Sequence, residues 1–419
     1  MFCEISMPFS TLGLNEPILS AVEGQGYTQP TDIQTQAIPH ILAGKDVLGC
    51  AQTGTGKTAA FALPILQRLL AHPLPTKKQA SRHVKPIRCL VLSPTRELAA
   101  QIDESFAVYG AGTGLKHTVI FGGVRQKSQT HALHSGVDIV VATPGRLIDL
   151  MEQGHVDLRS LEIFVLDEGD RMLDMGFVED IWHILSYVPE HRQSLLFSAT
   201  IPAKIMSLAK AILHEPVEVH VAPEMPAAET IEQRMYLVEW GERDGLLKYL
   251  LATENVTRAL VFTQTKRRAD MVAKALVRDG MKVDVIHSDR PMVARKRAMD
   301  NFRSGKVPVL IASDIAARGI DIDEISHVIN YELPREAEVY IHRIGRTGRA
   351  GEQGIALSFC TVEERSLLDD IEELLGQEIP IIEDHPHPSP LPRQRKAAPA
   401  EPKTTGLFQT RRPGRRKRF

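Results

Sequence analysis

Short apolar runs alternate along the chain with longer segments in which apolar residues recur at helical spacing. Runs of Val, Ile and Leu without strict polar alternation are typical of parallel strands that are buried on both faces. The clearest runs are Asp46–Cys50, Ile87–Leu92, Asp138–Ala142, Ile163–Leu166 and Ser194–Phe197, and then Ala259–Phe262, Lys282–Ile286, Val307–Ala312 and His327–Asn330. The pattern predicts an α/β fold in which a parallel sheet flanked by helices occurs twice.

The composition between and after these two sets of runs predicts the domain boundaries. Residues 222–230 place two prolines among small residues, which is typical of a linker. After residue 377 the chain is rich in Pro, His, Lys and Arg, and such a segment buries too little apolar surface to offset the entropy of folding. We expect a first domain at 1–221, a linker at 222–230, a second domain at 231–377 and a disordered basic tail at 378–419.

The net charge of −2 is unevenly distributed along the chain. Residues 393–419 contain ten Lys or Arg and one acid, Glu401, which gives this tail +9 and leaves −11 on the rest. From charge alone, two interpretations are equally good: a solvated disordered end, or a segment that binds a polyanion.

Cysteine spacing and hydropathy exclude several classes of protein. The four cysteines (Cys3, Cys50, Cys89 and Cys360) lack Cys-x-x-Cys spacing, which argues against a zinc site and a disulfide framework. An apolar run of about 18 residues, as a membrane span needs, is missing, and residues 1–9 do not resemble a signal peptide. We therefore expect a cytoplasmic protein without a membrane partner.

A glycine-rich segment, Ala51-Gln-Thr-Gly-Thr-Gly-Lys-Thr58, joins the first apolar run to a helical pattern. Such a turn directs backbone N–H groups and a helix N-terminus at a phosphate chain. It predicts a nucleotide site in which Lys57 reaches the β- and γ-phosphates and Thr58 ligates Mg²⁺. The other loop residues expected around the phosphates are Thr53, Gly54, Thr55 and Gly56. The strict motif has glycine in place of Ala51, and a purely structural turn is the alternative that this context disfavours.

Two acids follow the apolar run Ile163–Leu166. We expect Asp167 to hold Mg²⁺ through water and Glu168 to position or activate the water that attacks the γ-phosphate. For this segment alone, a pair of solvated acids at a strand end is an equally good interpretation. The presence of Lys57 and Thr58 upstream favours the catalytic one.

With these motifs, the chain resembles the DEAD-box helicases of superfamily 2 over residues 9–371, and their bacterial RhlE-like group in particular. The resemblance implies two tandem RecA-like domains that close on ATP and single-stranded RNA. One departure is Gly169 in Asp-Glu-Gly-Asp, where the family has Ala, whereas Asp167, Glu168 and Asp170 are kept. We expect catalysis to survive this change, with a slightly more mobile loop.

Gly26-Tyr-Thr-Gln-Pro-Thr-Asp-Ile-Gln34 resembles the family's Q motif, with Phe9 as its isolated upstream aromatic residue. The Gln34 amide both accepts and donates hydrogen bonds and so suits the N6/N7 edge of adenine. Tyr27 or Phe9 would supply a stacking face. The resemblance implies ATP rather than GTP, while an ordinary helix start is the alternative for this segment in isolation.

Further residues are assigned by resemblance to the family's coupling motifs. Ser198 and Thr200 are expected to hydrogen-bond Asp170, although a helix N-cap before Pro202 is a compatible alternative. In the second domain, Tyr340–Arg349 spaces three arginines three residues apart, which suits a phosphate clamp better than a core or a solvated loop. The expected roles are arginine fingers on the γ-phosphate (Arg346 and Arg349), contact with the Asp170 network (His342) and binding of the ribose hydroxyls (Asp321).

Three first-domain segments near strand ends, Pro94–Leu98, Gly122–Gly123 and Thr143–Leu147, resemble the family's RNA-binding motifs. Each alone is compatible with an ordinary turn or helix cap, and their ordered series favours RNA. Such contacts recognise the ribose-phosphate backbone independently of base sequence. The residues expected to contact RNA phosphates are Thr95, Arg96, Gly123, Thr143, Gly145, Arg146 and Ser313.

Two weaker motifs occur in the second domain. Phe262–Thr265 resembles motif IV, and His287–Arg295 resembles the family's His-Gly-Asp-x-x-Gln-x-x-Arg segment. In the latter, Ser288 replaces Gly and Met292 replaces Gln. We expect the lost amide at Met292 to weaken one RNA or interdomain contact.

Together the motifs predict a monomeric ATP-dependent RNA helicase that unwinds short duplexes locally or remodels ribonucleoproteins. The basic tail would bind structured RNA or a ribonucleoprotein. The main alternative is an ATP-gated RNA clamp or scaffold with little unwinding. A DNA-translocating helicase is disfavoured by the Gln34 motif and the RNA segments, and a kinase or GTPase by the lack of a guanine-reading Asn-Lys-x-Asp.

Overall fold

Two parallel sheets of seven strands each, both flanked by helices, make up the folded part of the chain. The computed structural model describes residues 8–52, 54–73, 86–221, 231–314, 325–348 and 354–389. The α/β architecture that the sequence predicts twice is therefore confirmed. The predicted linker at 222–230 lies outside the described residues.

The first sheet has the strand order β3-β4-β2-β5-β6-β1-β7, and every neighbouring pair is parallel. Its strands are β1 (Val47–Cys50), β2 (Cys89–Leu92), β3 (His117–Ile120), β4 (Ile139–Ala142), β5 (Ile163–Leu166), β6 (Gln193–Ser198) and β7 (Val217–His220). Its helices are α1 (Glu16–Gly24), α2 (Asp32–Leu42), α3 (Lys57–Ala71), α4 (Arg96–Tyr109), α5 (Gln126–His134), α6 (Pro144–Glu152), α7 (Gly169–Asp174), α8 (Val178–Leu185) and α9 (Ala203–Ile212).

The second sheet has the order β10-β11-β9-β12-β13-β8-β14 and is also parallel throughout. Its strands are β8 (Ile231–Leu237), β9 (Ala259–Thr263), β10 (Val283–Ile286), β11 (Val309–Ser313), β12 (His327–Asn330), β13 (Gly354–Cys360) and β14 (Ile381–Ile382). Its described helices are α10 (Arg243–Thr253), α11 (Lys266–Arg278), α12 (Met292–Arg303), α13 (Ala337–Ile344) and α14 (Arg365–Leu375).

Both faces of the central strands are buried, which explains why these strands lack polar alternation. Successive residues of a strand point to opposite faces of the sheet. Accordingly, Val91 and Val165 belong to one apolar cluster of the first domain, whereas Leu90 and Leu166 belong to the other. Helices cover both faces of the first sheet. The polar side chains of the predicted site therefore lie at the ends of its strands.

The second domain extends beyond its predicted boundary at residue 377. β14 pairs in parallel with Met235 and Tyr236 of β8, and Ile379 is buried. The His385 ring lies 5.5 Å from the Tyr236 ring, and the Ser389 N–H donates to the Leu237 carbonyl at 3.0 Å. The prediction of disorder from residue 378 is thus wrong for 378–389, because Ile381 and Ile382 continue the sheet there and Ile379 is buried. Residues 390–419 lie outside the described part.

No helix in the described ranges is long and apolar enough to cross a membrane.

Candidate functional site

The carboxyl ends of three adjacent strands of the first sheet bring the predicted nucleotide residues together. β6 lies between β5 and β1, and all three are parallel. The glycine-rich loop follows β1, the acids follow β5, and Ser198-Ala-Thr200 closes β6. In open α/β sheets, ligands bind in the crevice at this edge.

The glycine-rich loop encloses the amino group of Lys57. Lys57 is buried, and its Nζ donates to the Ala51 carbonyl at 2.7 Å. Gly56 has a φ of +90°, and a Cβ there would lie 2.3 Å from Gln34 Nε2, so glycine is required at this position. Thr58 stands in the first turn of α3, whose N-terminus faces the same space. The Thr55 hydroxyl donates to the Gln52 carbonyl at 2.8 Å, and Thr53 lies outside the described residues.

The Gln34 amide links the Q-motif helix to this loop. Its Nε2 donates to the Gly56 carbonyl at 3.1 Å, and its Oε1 accepts the Thr31 N–H at 3.0 Å. Tyr27 is 47% exposed and borders the site. Phe9 instead packs in the core of the first domain, because its ring meets apolar neighbours there. Of the two aromatic residues predicted to face the base, only Tyr27 borders the cavity.

The two acids after β5 are deeply buried. Asp167 is 2% exposed and Glu168 4%, and Arg171 forms an ion pair with Glu168. Burial raises the pKa of Asp167 to about 7; the Lys57 charge opposes this shift and the Glu168 charge adds to it. Glu168 has a φ of +51°, a left-handed conformation that costs a non-glycine residue about 1–3 kcal/mol. Strain of this kind occurs where a side chain must hold one orientation.

Asp170 is held by the segment that closes β6. Its Oδ2 accepts the Thr200 hydroxyl at 3.0 Å and the backbone N–H groups of Ala199 and Thr200 at 3.1 and 2.9 Å. The Asp170 N–H donates to Ser198 Oγ at 3.1 Å. The hydrogen bonds that the sequence motif implies are present. The residue at the N-cap of α9 is Pro202, so Ser198 and Thr200 do not cap that helix.

Two adjoining cavities lie between the domains. The larger, here the cleft cavity, is lined by Tyr27, Gln29, Thr31, Gln34, Gly54, Gly56, Lys57, Thr58, Ala59, Leu98, Gln101, Ser105, Tyr109, Asp167, Glu168, Arg303 and Arg346. The smaller contains Asp170 on the first-domain side and His342 on the second. Arg346 is buried and borders both, so a second-domain guanidinium lies in the same space as the acids. Asp321 and Arg349 lie outside the described residues.

Two of the residues predicted to contact RNA, Arg96 and Arg146, lie near each other at strand ends. The Arg96 guanidinium lies against Gly123, where a Cβ would be 2.1 Å from Arg96 Nη1 and the φ is +78°. Burial lowers the pKa of Arg96, and the charges of Arg295 and Arg146 act in the same direction. The Arg146 Nε lies 3.2 Å from Asp149 Oδ2. Arg96 and Arg146 of the first domain thus lie near Arg295 of the second, while Arg146 and Arg295 are each paired with a carboxylate, that of Asp149 and that of Glu97.

The remaining predicted RNA residues stand at element ends. Thr95 is the N-cap of α4, and its Oγ1 accepts the Leu98 N–H at 3.3 Å, so the cap alternative holds for its hydroxyl. Thr143 stands at the N-cap position of α6, and no side-chain cap hydrogen bond forms there. Gly145 lies in the first turn of α6, and Ser313 is the buried last residue of β11.

The sequence motifs left two arginines near the cavities without a role. Arg171 pairs with Glu168, as described above. Arg343, at 2% exposure, pairs with Asp314 (Nε to Oδ1, 2.6 Å) and donates to Asn330 Oδ1 at 3.0 Å. The equal spacing of Arg343, Arg346 and Arg349 in the sequence does not reveal that Arg343 supports the fold rather than the site.

Comparisons with known proteins agree with this geometry. The family model for DEAD/DEAH box helicases matches residues 31–208, and that for the helicase conserved C-terminal domain matches residues 242–351. The chain is 38% identical to the ATP-dependent RNA helicase RhlB of Aliivibrio salmonicida, over 92% of this chain and 90% of that protein. It is 40% identical to the DEAD-box ATP-dependent RNA helicase RhpA of Helicobacter pylori, over 90% and 74%.

Another relative is longer than this chain. Identity to the RhlB of Xanthomonas axonopodis pv. citri is 42% over 89% of this chain, and the match spans 65% of that protein, just under two thirds.

Among solved structures, the chain is similar to S. cerevisiae Dbp5 bound to RNA and ADP BeF3. The TM-score is 0.78 at 30% identity, covering 90% of this chain and 95% of Dbp5. A Dbp5 variant bound to a Gle1 variant and IP6 gives a TM-score of 0.69 at the same identity and coverage. The fold prediction of two tandem RecA-like domains is thereby confirmed.

Proposed function

Because the chain belongs to the DEAD-box ATP-dependent RNA helicases, we propose that it hydrolyses ATP between its two domains and couples hydrolysis to local RNA unwinding or ribonucleoprotein remodelling. The observation that carries the proposal is the shared lining of the cleft cavity. Lys57, Asp167 and Glu168 come from the first domain and Arg346 from the second. A site completed by both domains acts only when they are closed, and the RNA-and-nucleotide-bound Dbp5 resembles this arrangement more than the Gle1-bound form does.

In this proposal, the first domain holds the nucleotide. In the structure, Lys57 donates to the Ala51 carbonyl. When ATP binds, its amino group would donate to the β- and γ-phosphates instead. Glu168, fixed by its backbone and by Arg171, orients the attacking water. Tyr27 offers a stacking face to adenine, and Gln34 joins the base-binding segment to the phosphate loop. Arg346, with Arg349 from the same motif, would stabilise charge on the γ-phosphate.

We further propose that Mg²⁺ accompanies ATP. The Thr58 hydroxyl and the Asp167 carboxylate both line the cleft cavity, and hard oxygen donors of this kind suit Mg²⁺. The raised pKa of Asp167 reflects a buried negative charge that Lys57 only partly balances, and a divalent cation would balance it. The ion would neutralise phosphate charge during the transfer.

Coupling to RNA would run through Asp170 and the residues predicted to contact RNA. Asp170 joins the acid loop to the end of β6 through four hydrogen bonds. His342 borders the same small cavity from the second domain, so closure brings the two together. Arg96, Arg146 and Ser313 would then bind phosphates of one RNA strand.

Two substitutions test the catalytic assignment. Lys57→Ala removes the phosphate-binding cation and Glu168→Gln the water-orienting carboxylate, and each should lower RNA-stimulated ATPase activity by at least about 100-fold. Lys210→Ala and Glu152→Gln, at exposed positions of the first domain, are the matched controls. Full activity of either site variant would contradict its role.

A strand-displacement assay on a short RNA duplex separates helicase activity from clamping. Displacement by the wild-type chain with ATP supports unwinding. RNA-stimulated ATPase without displacement would instead favour an ATP-gated clamp or scaffold.

We also propose that the basic residues 393–419 tether structured RNA or a ribonucleoprotein. Their +9 charge would release counterions from phosphates and so make RNA binding salt-dependent. Deletion of residues 393–419 should raise the KM for RNA and flatten its dependence on salt, measured by ATPase titrations at several salt concentrations. If both quantities stay unchanged, the tail has another role.

We propose that the protein acts in the cytoplasm as a monomer. Free thiols are typical of a reducing compartment, and Cys50, Cys89 and Cys360, the cysteines within the described ranges, are all free.

A further inference from the structure

Helix α12 of the second domain is held against helix α4 of the first. Arg295 Nη1 lies 2.7 Å from Glu97 Oε1, and Lys296 Nζ lies 3.6 Å from Glu104 Oε1. Met292 packs against the apolar cluster of the first domain. Residues spaced three and four apart share one face of a helix, so a single face of α12 makes these contacts.

The same face continues to Arg303, the last residue of α12. From Lys296 to Arg303 the helix rises about 10 Å, two turns further along the same face. Arg303 lines the cleft cavity, as do Gln101 and Ser105 of α4. The α12–α4 contact therefore places a second-domain guanidinium on the wall of the nucleotide site, apart from the arginine motif that supplies Arg346.

Tyr27 lies at the C-terminal end of α4. Burial raises the pKa of Tyr109, the last residue of that helix, the neighbouring Tyr27 adds to this shift, and both tyrosines line the cleft cavity. The Tyr27 ring is still 47% exposed. An aromatic ring from the first domain and a planar cation from the second thus border the same cavity.

We propose that Arg303 binds the adenine base from the second domain, on the face opposite Tyr27. This inference rests on the proposed function, because it requires ATP in the cleft cavity. A guanidinium stacks on flat rings and is attracted by their negative faces. The base then contacts both domains, so its binding favours closure, as binding of the γ-phosphate does. Nucleotides with smaller rings would bind less tightly.

The test compares Arg303→Gln with the wild-type full chain. A cation–π contact contributes about 0.5–1 kcal/mol at an exposed site, so the KM for ATP at saturating RNA should rise about two- to five-fold, with a smaller change in kcat. Inorganic tripolyphosphate, used as a competitive inhibitor, lacks a base, so its inhibition constant should stay the same. An equal rise in that constant would show a purely electrostatic role and overturn the proposal.

Two further variants make the result specific. Arg303→Lys keeps the charge but not the planar face and should give a KM between those of the wild type and Arg303→Gln. Arg297→Gln makes the same charge change at an exposed position of α12 that does not line the cavity, and should leave the KM unchanged. An unchanged KM in Arg303→Gln, or an equal rise in Arg297→Gln, overturns this inference alone. Absence of RNA-stimulated ATPase in the wild type would overturn the proposed function itself.

Discussion

Gly169 stands where the family has alanine, and the structure has room for the missing methyl group. A Cβ at this position would lie 3.4 Å from Ile205 and Leu196 side-chain carbons, which is ordinary apolar contact. The residue is the first of α7 and does not have a positive φ, so alanine there would stabilise the fold by about 0.4–1 kcal/mol through the lower entropy of the unfolded chain. Gly169→Ala should therefore raise the thermal midpoint of the first domain by about 1–4 °C.

Calorimetry of the full chain measures this shift, and RNA-stimulated ATPase activity should persist in the variant. Gly154→Ala is the contrasting control, because Gly154 has a φ of +75° and alanine would be strained there. A lowered midpoint for Gly169→Ala would show that the glycine is needed for its flexibility.

Single residues also show how far sequence reasoning reached. The contacts of Ser198 and Thr200 with Asp170 follow from motif resemblance, and the structure contains them. The bond of Gln34 to the Gly56 carbonyl does not follow, because it depends on how α2 packs beside the loop. Phe9 was assigned to the nucleotide by sequence position, whereas its burial is decided by apolar neighbours that are distant in the chain.

At the scale of elements, we predict that the segment 378–389 stabilises the second domain. A chain ending at Gln377 loses β14 and the burial of Ile379, and burial of such a side chain contributes about 1.5–3 kcal/mol. A chain ending at Ser389 keeps both. Thermal unfolding of the two truncated chains should show a lower midpoint for the second domain only in the shorter one. Equal midpoints would mean that the segment adds no stability.

Most elements with a strong apolar run were predictable, except the central strand β13, and those defined by their neighbours were not. All nine predicted strands are present, with ends shifted by at most two residues. The strands missed include β3 and β7, whose sequences mix polar and apolar residues because they lie at the sheet edges. β14 is two residues long and is stabilised mainly by pairing with β8, which a local pattern cannot reveal.

For the whole molecule, the relation between the domains was the least predictable feature. The motifs placed acids on one domain and arginines on the other, and the cleft cavity joins them. Met292 was expected to weaken an interdomain or RNA contact through its lost amide. In the structure, its side chain packs against the apolar cluster of the first domain. No local pattern carries this information, since it depends on two surfaces far apart in sequence.

Closure itself is predicted to depend on the Glu97–Arg295 ion pair. In the closed arrangement Arg295 is 6% exposed and Glu97 20%, whereas the nearby Lys296–Glu104 pair is 67% and 68% exposed. Removing one partner of a largely buried ion pair leaves the other charge uncompensated and costs about 3–5 kcal/mol, whereas an exposed pair contributes about 0–1 kcal/mol. Glu97→Gln should therefore raise the RNA concentration for half-maximal ATPase at least about tenfold, and Glu104→Gln far less. Combined with Arg295→Gln, Glu97→Gln should cost less than the sum of the two single changes, because the pair is already broken. Additive losses in this double-mutant cycle would mean that the two residues act separately and that closure is stabilised elsewhere.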